Sequence, residues 1–205
     1  MTSIEALASA YVAFEGPLGA GKTTLAKLLA SRARIHAVLE DPDGNEFLAD
    51  FYKDKERWAL PMQLWFLAAR HAQLSRVSHT PDKGVIADYS YGKDSVFARL
   101  LLTERNLHLY ERINAVLGGT LRQPNVIVYI DATDEVLLER IRLRGRRYEQ
   151  PIDAEYLDSV RTAYEKYMLL NSPVPIVRYN TSELNLQSEE QLAQLFELIA
   201  EGIAK

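Results

Sequence analysis

The chain has 205 residues, a length typical of one globular domain, with 47% hydrophobic and 25% charged residues. Its formal net charge of −4 does not favour a surface that binds nucleic acid or anionic lipid, and the absence of cysteine excludes disulfides, thiolate metal sites and cysteine nucleophiles. The longest apolar run, residues 64–69, is far shorter than the roughly 20 residues of a membrane span, and the start of the chain lacks the basic cluster of a secretory signal. We therefore expect a cytoplasmic protein with neither a membrane nor a nucleic acid as partner.

Short apolar segments alternate with segments of helical periodicity along the whole chain. This alternation predicts a single α/β domain over residues 1–205, with a parallel sheet of about five strands flanked by helices. The strands are predicted at 11–15, 36–40, 84–88, 125–131 and 174–179. The helices are predicted at 22–33, 45–52, 58–77 with Pro61 in its first turn, 95–102, 104–117, 133–144, 153–170 and from Ser188 onward.

The turn between the first strand and the first helix has the pattern glycine, four residues, glycine, lysine and then serine or threonine. Glycines let backbone N–H groups converge on phosphate oxygens, and the helix that follows adds its positive N-terminal end. The lysine neutralises the β- and γ-phosphates, and the threonine hydroxyl ligates Mg²⁺. We predict that a nucleoside triphosphate is bound by Gly16, Pro17, Leu18, Gly19, Ala20, Gly21, Lys22, Thr23 and Thr24.

The loop by itself does not identify the group that receives the phosphate. A GTPase is disfavoured, because no lysine is followed two positions later by the aspartate with which GTPases select guanine. A small-molecule kinase and an ATPase module that drives a partner both remain open at this point. The ATPase module is less favoured, because it usually needs more chain than one loop and one helical layer.

The segments that follow the loop resemble the deoxyribonucleoside kinase family, particularly its bacterial members that act on deoxyguanosine and deoxyadenosine. The resemblance implies a P-loop kinase fold with an arginine-rich lid, a homodimer, and transfer of the γ-phosphate of ATP to the 5′-hydroxyl of a purine deoxynucleoside. Thymidylate kinases share the Glu-Gly-Pro start of the loop, so a thymidylate or other nucleoside monophosphate kinase is the alternative. This alternative is less favoured, because the arginine-x-proline-glycine segment of thymidylate kinases is missing here. The resemblance runs from residue 12 to about 167 and rests on the segments around Glu40, Gln63, Asp88 and Arg144.

The resemblance also implies the residues that receive the acceptor. Glu40, after the second strand, matches the base that takes the proton of the 5′-hydroxyl, although an acid in a turn is by itself often only solvated. Tyr52 matches the residue that holds the 3′-hydroxyl. Gln63 and Arg70 are seven positions apart, so they share one face of the predicted helix and match the residues that contact the base; an exposed polar face is the alternative.

Other residues complete the predicted acceptor and metal sites. Either Trp65 or Phe66 could form an aromatic wall beside the base. Asp88 ends a buried strand, where a carboxylate lies beside the phosphate loop, and the resemblance implies that it holds Mg²⁺ together with the loop threonine. Tyr89 stands where many relatives have an arginine near the 5′-hydroxyl. Asp94 is the candidate for the acid that pairs with the base-reading arginine.

Five arginines lie within residues 140–147, and without them the net charge of −4 would fall to −9. A nucleic-acid patch is the alternative interpretation, but the acidic remainder of the chain disfavours it. The resemblance implies a lid over residues 140–152, in which arginines close over the transferred phosphoryl group because the guanidinium is a planar fork of donors. Arg140, Arg144 and Arg146 are the predicted lid arginines, and Glu149 is predicted to take the 3′-hydroxyl.

Overall fold

The computed structural model describes residues 3–119, 121–170 and 172–205, and in these residues five strands form one sheet in which every pair is parallel. The strand order is β2-β3-β1-β4-β5. This arrangement confirms the predicted fold class. The strands are β1 (Tyr11–Glu15), β2 (His36–Val38), β3 (Val85–Ala87), β4 (Val126–Asp131) and β5 (Ile176–Asn180).

Helices cover both faces of the sheet. They are α1 (Ser3–Leu7), α2 (Lys22–Ala33), α3 (Leu48–Lys53), α4 (Lys55–Ser78), α5 (Gly92–Leu101), α6 (Glu104–Gly118), α7 (Asp134–Arg144), α8 (Ala154–Tyr164) and α9 (Glu189–Ile203). A π-helical turn, Glu165–Leu169, extends α8, and short 3-10 turns form at Pro42–Gly44 and Arg147–Glu149. Over the residues that the structure covers, none of these helices combines the length and the apolar character needed to cross a bilayer.

The side chains of β1 show how the two faces are covered. Val12 and Phe14 belong to a buried cluster with residues of α2, α7 and α9, whereas Tyr11 and Ala13 belong to a cluster with Leu74 and Val77 of α4. Successive side chains of a strand point to opposite faces, so a strand that is buried on both sides must be apolar throughout. The continuous apolar run that precedes the phosphate loop therefore reflects a central position in the sheet.

Several predicted boundaries were wrong, and three of them belong to segments that carry or precede predicted site residues. The second strand ends at Val38 rather than at residue 40. The backbone N–H of Glu40 donates to Oδ1 of Asp88 at 2.8 Å instead of to a neighbouring strand. Helix α4 begins at Lys55, where Asp54 accepts the N–H of Arg57, so Pro61 lies in its second turn and not in the first. Helix α5 begins at Gly92 rather than at residue 95. Its first turn therefore carries the Lys-Asp pair at 93 and 94.

Candidate active site

A cavity of about 870 Å³ opens at the carboxyl ends of the strands, and it brings most of the predicted site residues together. In open parallel sheets ligands bind at this edge. The predicted residues that line the cavity are Leu18, Gly19, Ala20, Gly21, Lys22, Thr23, Thr24, Glu40, Tyr52, Gln63, Arg70, Asp88, Arg140, Arg144, Arg146 and Glu149. Gly16, Pro17 and Asp94 support the site from behind that lining.

The phosphate loop depends on glycines whose backbone other residues adopt only with strain. Gly16, Gly19 and Gly21 have φ values of 138°, 81° and 98°. A Cβ on Gly16 would lie 1.9 Å from the carbonyl oxygen of Ile130, so the backbone of β4 leaves no room for a side chain. Lys22 Nζ donates to the carbonyls of Gly16 and Pro17, at 2.7 and 2.8 Å, and burial lowers the pKa of this ammonium to about 7. These contacts keep the lysine over the loop.

The two predicted metal ligands lie together. Thr23 Oγ1 donates to Oδ2 of Asp88 at 2.5 Å, because β1 and β3 are neighbours in the sheet. Within the described ranges no cluster of three or more His, Cys, Asp or Glu residues could hold a metal ion. Mg²⁺ characteristically binds one or two protein oxygens together with phosphate oxygens and water. A hydroxyl and a carboxylate beside a phosphate loop therefore fit this ion.

Glu40 lies at the centre of a network of charged side chains. Its Oε1 accepts hydrogen bonds from Nε of Arg70, at 2.8 Å, and from Nη2 of the same guanidinium. Its Oε2 accepts from Lys93 Nζ at 2.7 Å. Burial raises the pKa of Glu40, but the positive charges of Arg70 and Lys93 outweigh it and hold this pKa well below its usual range. The carboxylate is therefore ionised and fixed in orientation.

Asp94 supports this network from behind the cavity wall. Arg70 Nη1 donates to its Oδ1, while its Oδ2 has no hydrogen-bond partner within the described part of the chain. Burial raises the pKa of Asp94 to about 6, against the lowering effect of Arg70. The pairing with Arg70 agrees with the sequence interpretation. The carboxylate does not line the cavity, so it acts here through the arginine.

Gln63 and Phe66 form the part of the cavity that the sequence assigned to the base. Gln63 is 2% exposed, and its Nε2 donates to the carbonyl of Asp94 at 3.3 Å. The Phe66 ring lines the cavity and lies 4.7 Å from Cζ of Arg70. Trp65 does not line the cavity but packs edge-on against Phe66. Of the two aromatic candidates, Phe66 therefore lines the cavity and Trp65 does not.

The segment predicted as a lid, residues 140–152, includes the end of α7, and Gly145 ends that helix with a φ of 72°. Arg144 donates to Oε2 of Glu149 through Nε and Nη2, at 2.9 and 2.7 Å. Arg146 Nη2 and the Tyr148 hydroxyl both donate to the carboxylate of Asp43, at 2.9 and 2.6 Å. These bonds connect the segment after α7 to the loop that follows β2.

Arg140 has a different position from the other two lid arginines. Its guanidinium donates to the hydroxyl and the carbonyl of Thr181, at 2.9 and 2.7 Å, and it faces the carbonyl of Gly19 at 3.5 Å. Tyr52, in α3, stacks on Tyr148 with ring centroids 5.7 Å apart. Arg140 thus lies beside the phosphate loop, and Tyr52 contacts the segment predicted as a lid.

Two buried charged residues of this region were missed by the sequence interpretation. Lys93 contacts Glu40, and nothing in its local sequence indicates this contact. Glu15 is fully buried, and its carboxylate accepts the Ser90 N–H at 2.6 Å and the Tyr164 hydroxyl at 2.8 Å. Burial raises the pKa of Glu15. An acid at the end of an otherwise apolar strand was the signal that could have identified it.

Comparison with known proteins identifies the family. A family model described as deoxynucleoside kinase matches residues 12–203. The chain belongs to the deoxynucleoside kinase family. It is therefore an ATP-dependent phosphotransferase that acts on a deoxynucleoside, and the family resemblance inferred from the motifs is confirmed.

Individual relatives agree with this assignment over most of their lengths. Deoxyguanosine kinase of Bacillus subtilis (strain 168) is 39% identical over 158 residues, which is 76% of this chain and 76% of the relative. Deoxyadenosine kinase of Dictyostelium discoideum is 32% identical over 197 residues, or 93% of this chain and 79% of the relative.

Among solved structures, deoxyadenosine kinase from M. mycoides with bound dATP has a TM-score of 0.77 at 22% identity, covering 96% of this chain and 100% of that one. The same kinase with bound dCTP gives 0.76 at 23% identity, covering 95% and 98%. These structures share the fold.

Proposed function

We propose that this enzyme transfers the γ-phosphate of ATP to the 5′-hydroxyl of a purine deoxynucleoside, with Mg²⁺ held by Thr23 and Asp88. One observation carries the proposal: a single cavity joins the phosphate loop to the largely buried carboxylate of Glu40, and the backbone N–H of Glu40 donates to Asp88. The residue whose carboxylate would accept a proton is thereby bonded, through its backbone, to the residue that would hold the metal. Phosphoryl transfer requires this proximity, because catalysis rests mainly on positioning and charge.

The donor side holds and neutralises the triphosphate. The N–H groups of the loop and the N-terminus of α2 face the phosphate oxygens, and Lys22 moves its charge from the loop carbonyls to the β- and γ-phosphates. Bound Mg²⁺ supplies further positive charge to the same phosphates. Arg140, Arg144 and Arg146 act from the lid, where their guanidinium groups match the charge that spreads over the transferred phosphoryl group.

Glu40 orients the attacking hydroxyl and receives its proton. The bond from the 5′-oxygen to the γ-phosphorus forms, the bond from that phosphorus to the bridging oxygen breaks, and ADP leaves with the electron pair. The proton passes from the 5′-oxygen to the Glu40 carboxylate. Because the two cations around it lower the pKa of Glu40, the carboxylate is ionised before the reaction and can accept the proton.

The acceptor is selected at the far end of the cavity. Tyr52 and Glu149 hold the 3′-hydroxyl, and Gln63 and Arg70 contact the base. Nε2 of Gln63 has one N–H committed to the Asp94 carbonyl, which leaves the second N–H and the amide oxygen for a base edge. The purine preference is supported by the names of the relatives, a deoxyguanosine kinase and a deoxyadenosine kinase.

Assembly and location complete the proposal. We expect a cytoplasmic homodimer, as the family resemblance implies. Leu109 and Val116 support a contact surface on α6, because they lie seven positions apart on one side of the helix and both are exposed, Val116 to 83%. Light scattering of the purified protein tests the dimer directly, and a monomer at micromolar concentration would contradict it.

A coupled assay with ATP and Mg²⁺ tests the reaction, with each of the four deoxynucleosides offered in turn. Deoxyguanosine or deoxyadenosine is expected to give the highest kcat/KM, and the four deoxynucleoside monophosphates are expected to give no diphosphate. A protein that binds ATP but phosphorylates no deoxynucleoside contradicts the proposal. Turnover of a monophosphate instead of its nucleoside supports a monophosphate kinase.

Substitution of the proposed base tests the mechanism. Glu40→Gln keeps the shape of the side chain but cannot take the proton, so kcat should fall by roughly 10²- to 10⁴-fold with little change in nucleoside binding. Asp41→Asn is the matched control, because the neighbouring acid is exposed and, among the described residues, its Oδ1 accepts the N–H of Gly44, as the asparagine oxygen also can. If Glu40→Gln retains a kcat close to that of Asp41→Asn, another group accepts the proton.

A further inference from the structure

Lys93 is a buried cation that no motif of the sequence explains. It lies in the first turn of α5 and reaches the cavity wall, with its side chain only 9% exposed. Its Nζ lies 2.7 Å from Oε2 of Glu40 and 5.9 Å from the ring centre of Phe97. Burying an ammonium group is unfavourable unless it is paired, so the fold places this charge here at a cost in stability.

The two cations around Glu40 have separate tasks. Arg70 binds Oε1 of Glu40 and is shared with Asp94, whereas Glu40 is the one carboxylate that forms an ion pair with Lys93 in the described residues. Arg70 therefore connects Glu40 to the base-reading end of the cavity. Lys93 acts on the other carboxylate oxygen, from a different helix.

Lys93 also acts towards the phosphate loop. Its positive charge lowers the pKa of Glu15, at the end of β1, against the effect of burial. Lys93 also lines the same cavity as residues 18–24 of the loop. Its charge is therefore in the cavity that joins the Glu40 carboxylate to the loop that holds the phosphates, where the acceptor oxygen must meet the γ-phosphate.

Position 89, directly after Asp88, does not supply a positive charge near Glu40, because it holds a tyrosine. Its hydroxyl donates to Oε1 of Gln73, and its fully buried ring packs 5.7 Å from the guanidinium carbon of Arg70. The side chain thus supports the arginine and is directed at a glutamine rather than at Glu40. The second cation that contacts the Glu40 carboxylate is therefore Lys93 of α5.

We propose that Lys93 is a positioning residue for the phosphoryl transfer: it fixes Oε2 of Glu40 and places a positive charge beside the attacking oxygen. This inference rests on the proposed function. Charge developing in the transition state is stabilised most by a group that is already oriented and shielded from water. Without Lys93, Arg70 still holds one oxygen of the carboxylate, so the substrate pocket persists while the alignment of Glu40 is lost.

Steady-state kinetics of Lys93→Met and Lys93→Arg test the inference, with Lys53→Met as the matched control at an exposed lysine outside the cavity. Lys93→Met should lower kcat by about 10²-fold, the range found for one preorganised donor, with KM for ATP and for the nucleoside changed by less than about threefold. Lys93→Arg restores a cation and should recover kcat to within about tenfold of the wild type. Lys53→Met should behave as the wild type.

A kcat for Lys93→Met within about threefold of the wild type overturns the inference, and so does a loss confined to KM. If Lys93→Met does not fold, as judged by its thermal transition, Lys93→Gln keeps a donor towards Glu40 without the charge, and the same thresholds apply. A wild-type enzyme that turns over no deoxynucleoside overturns the proposed function itself. That result is distinct from an active wild type with an equally active Lys93 variant.

Discussion

The two ends of the cavity are built in different ways. At the proposed donor end, backbone conformation makes the site: glycines with positive φ shape the loop, and the next residues in the chain are Lys22 and Thr23. At the proposed acceptor end, largely buried side chains make the site, and Glu40, Arg70 and Lys93 come from three separate segments. The donor end is thus a local structure and the acceptor end is a tertiary one, so the two ends should fail differently when a residue is changed.

The largest effect is expected at the donor end, from Gly16→Ala. The new Cβ would lie 1.9 Å from the carbonyl oxygen of Ile130, and this overlap is with backbone, so no side chain can move aside to relieve it. The φ of 138° adds backbone strain for any residue other than glycine. We expect a loss of roughly 4 kcal/mol or more in the free energy of unfolding, measured in urea, together with loss of ATP binding.

Gly21→Ala is the control for Gly16→Ala, because φ is 98° but a Cβ there meets no atom within 4 Å. It should lose only about 1–2 kcal/mol. Equal losses for the two variants would mean that the overlap is relieved.

At the acceptor end, Arg70→Met should be nearly as damaging, for a different reason. It leaves two buried carboxylates, Glu40 and Asp94, without their shared cation, which is expected to cost about 3–5 kcal/mol. The control Arg99→Met breaks an exposed pair with Glu111 and should cost less than about 1 kcal/mol. Adding Asp94→Asn to Arg70→Met should recover part of the loss. Equal urea midpoints for the two single variants would show that the buried network contributes little.

A pH dependence of stability should come from Asp94. Burial raises its pKa to about 6 from an ordinary 3.8, with Glu40 adding to the rise and Arg70 and Lys93 opposing it. Between these values the folded protein binds this proton and the unfolded chain does not, so the contribution of Asp94 to the free energy of unfolding falls as pH rises.

Urea unfolding of Asp94→Asn at pH 4 and pH 6.5 measures this effect. Relative to the wild type, the variant should gain about 1–3 kcal/mol between the two pH values. Asp41→Asn, which changes an exposed acid, should show no such gain. The same pH trend in both variants would mean that Asp94 is ionised in the folded protein throughout this range.

The smallest effect is expected where the lid meets the acceptor side, from Asp43→Asn. The carboxylate accepts from Arg146 and from the Tyr148 hydroxyl, but its side chain is 61% exposed, so water competes for both bonds. The free energy of unfolding should change by less than about 1 kcal/mol. Tyr148→Phe, which removes one of the two hydrogen bonds, should change the free energy of unfolding by no more than Asp43→Asn does. A thermal shift comparable to that of Arg70→Met would place the lid contact among the buried interactions.

Sequence reasoning was strongest where a site is local. It found the phosphate loop and the strand before it, and it paired Thr23 with Asp88 because strand ends meet at one edge of a parallel sheet. It did not find Lys93, which is 53 positions from Glu40, or the contact of Asp43 with Tyr148 across 105 positions. Such contacts depend on how helices and loops pack, and no periodicity in the chain records that packing.

The sequence by itself determined the fold class, the phosphate loop and the family, because these depend on short patterns whose geometry is fixed by the backbone. It also concentrates five arginines in a chain of net charge −4, which led to the prediction of a lid there. Only the tertiary structure decided that Asp94 lies behind the cavity lining, that Arg140 faces Thr181, and that Lys93 completes the pairing of Glu40. The physical reason is that buried charges are stable only beside opposite charges, and folding alone determines which partners come within reach.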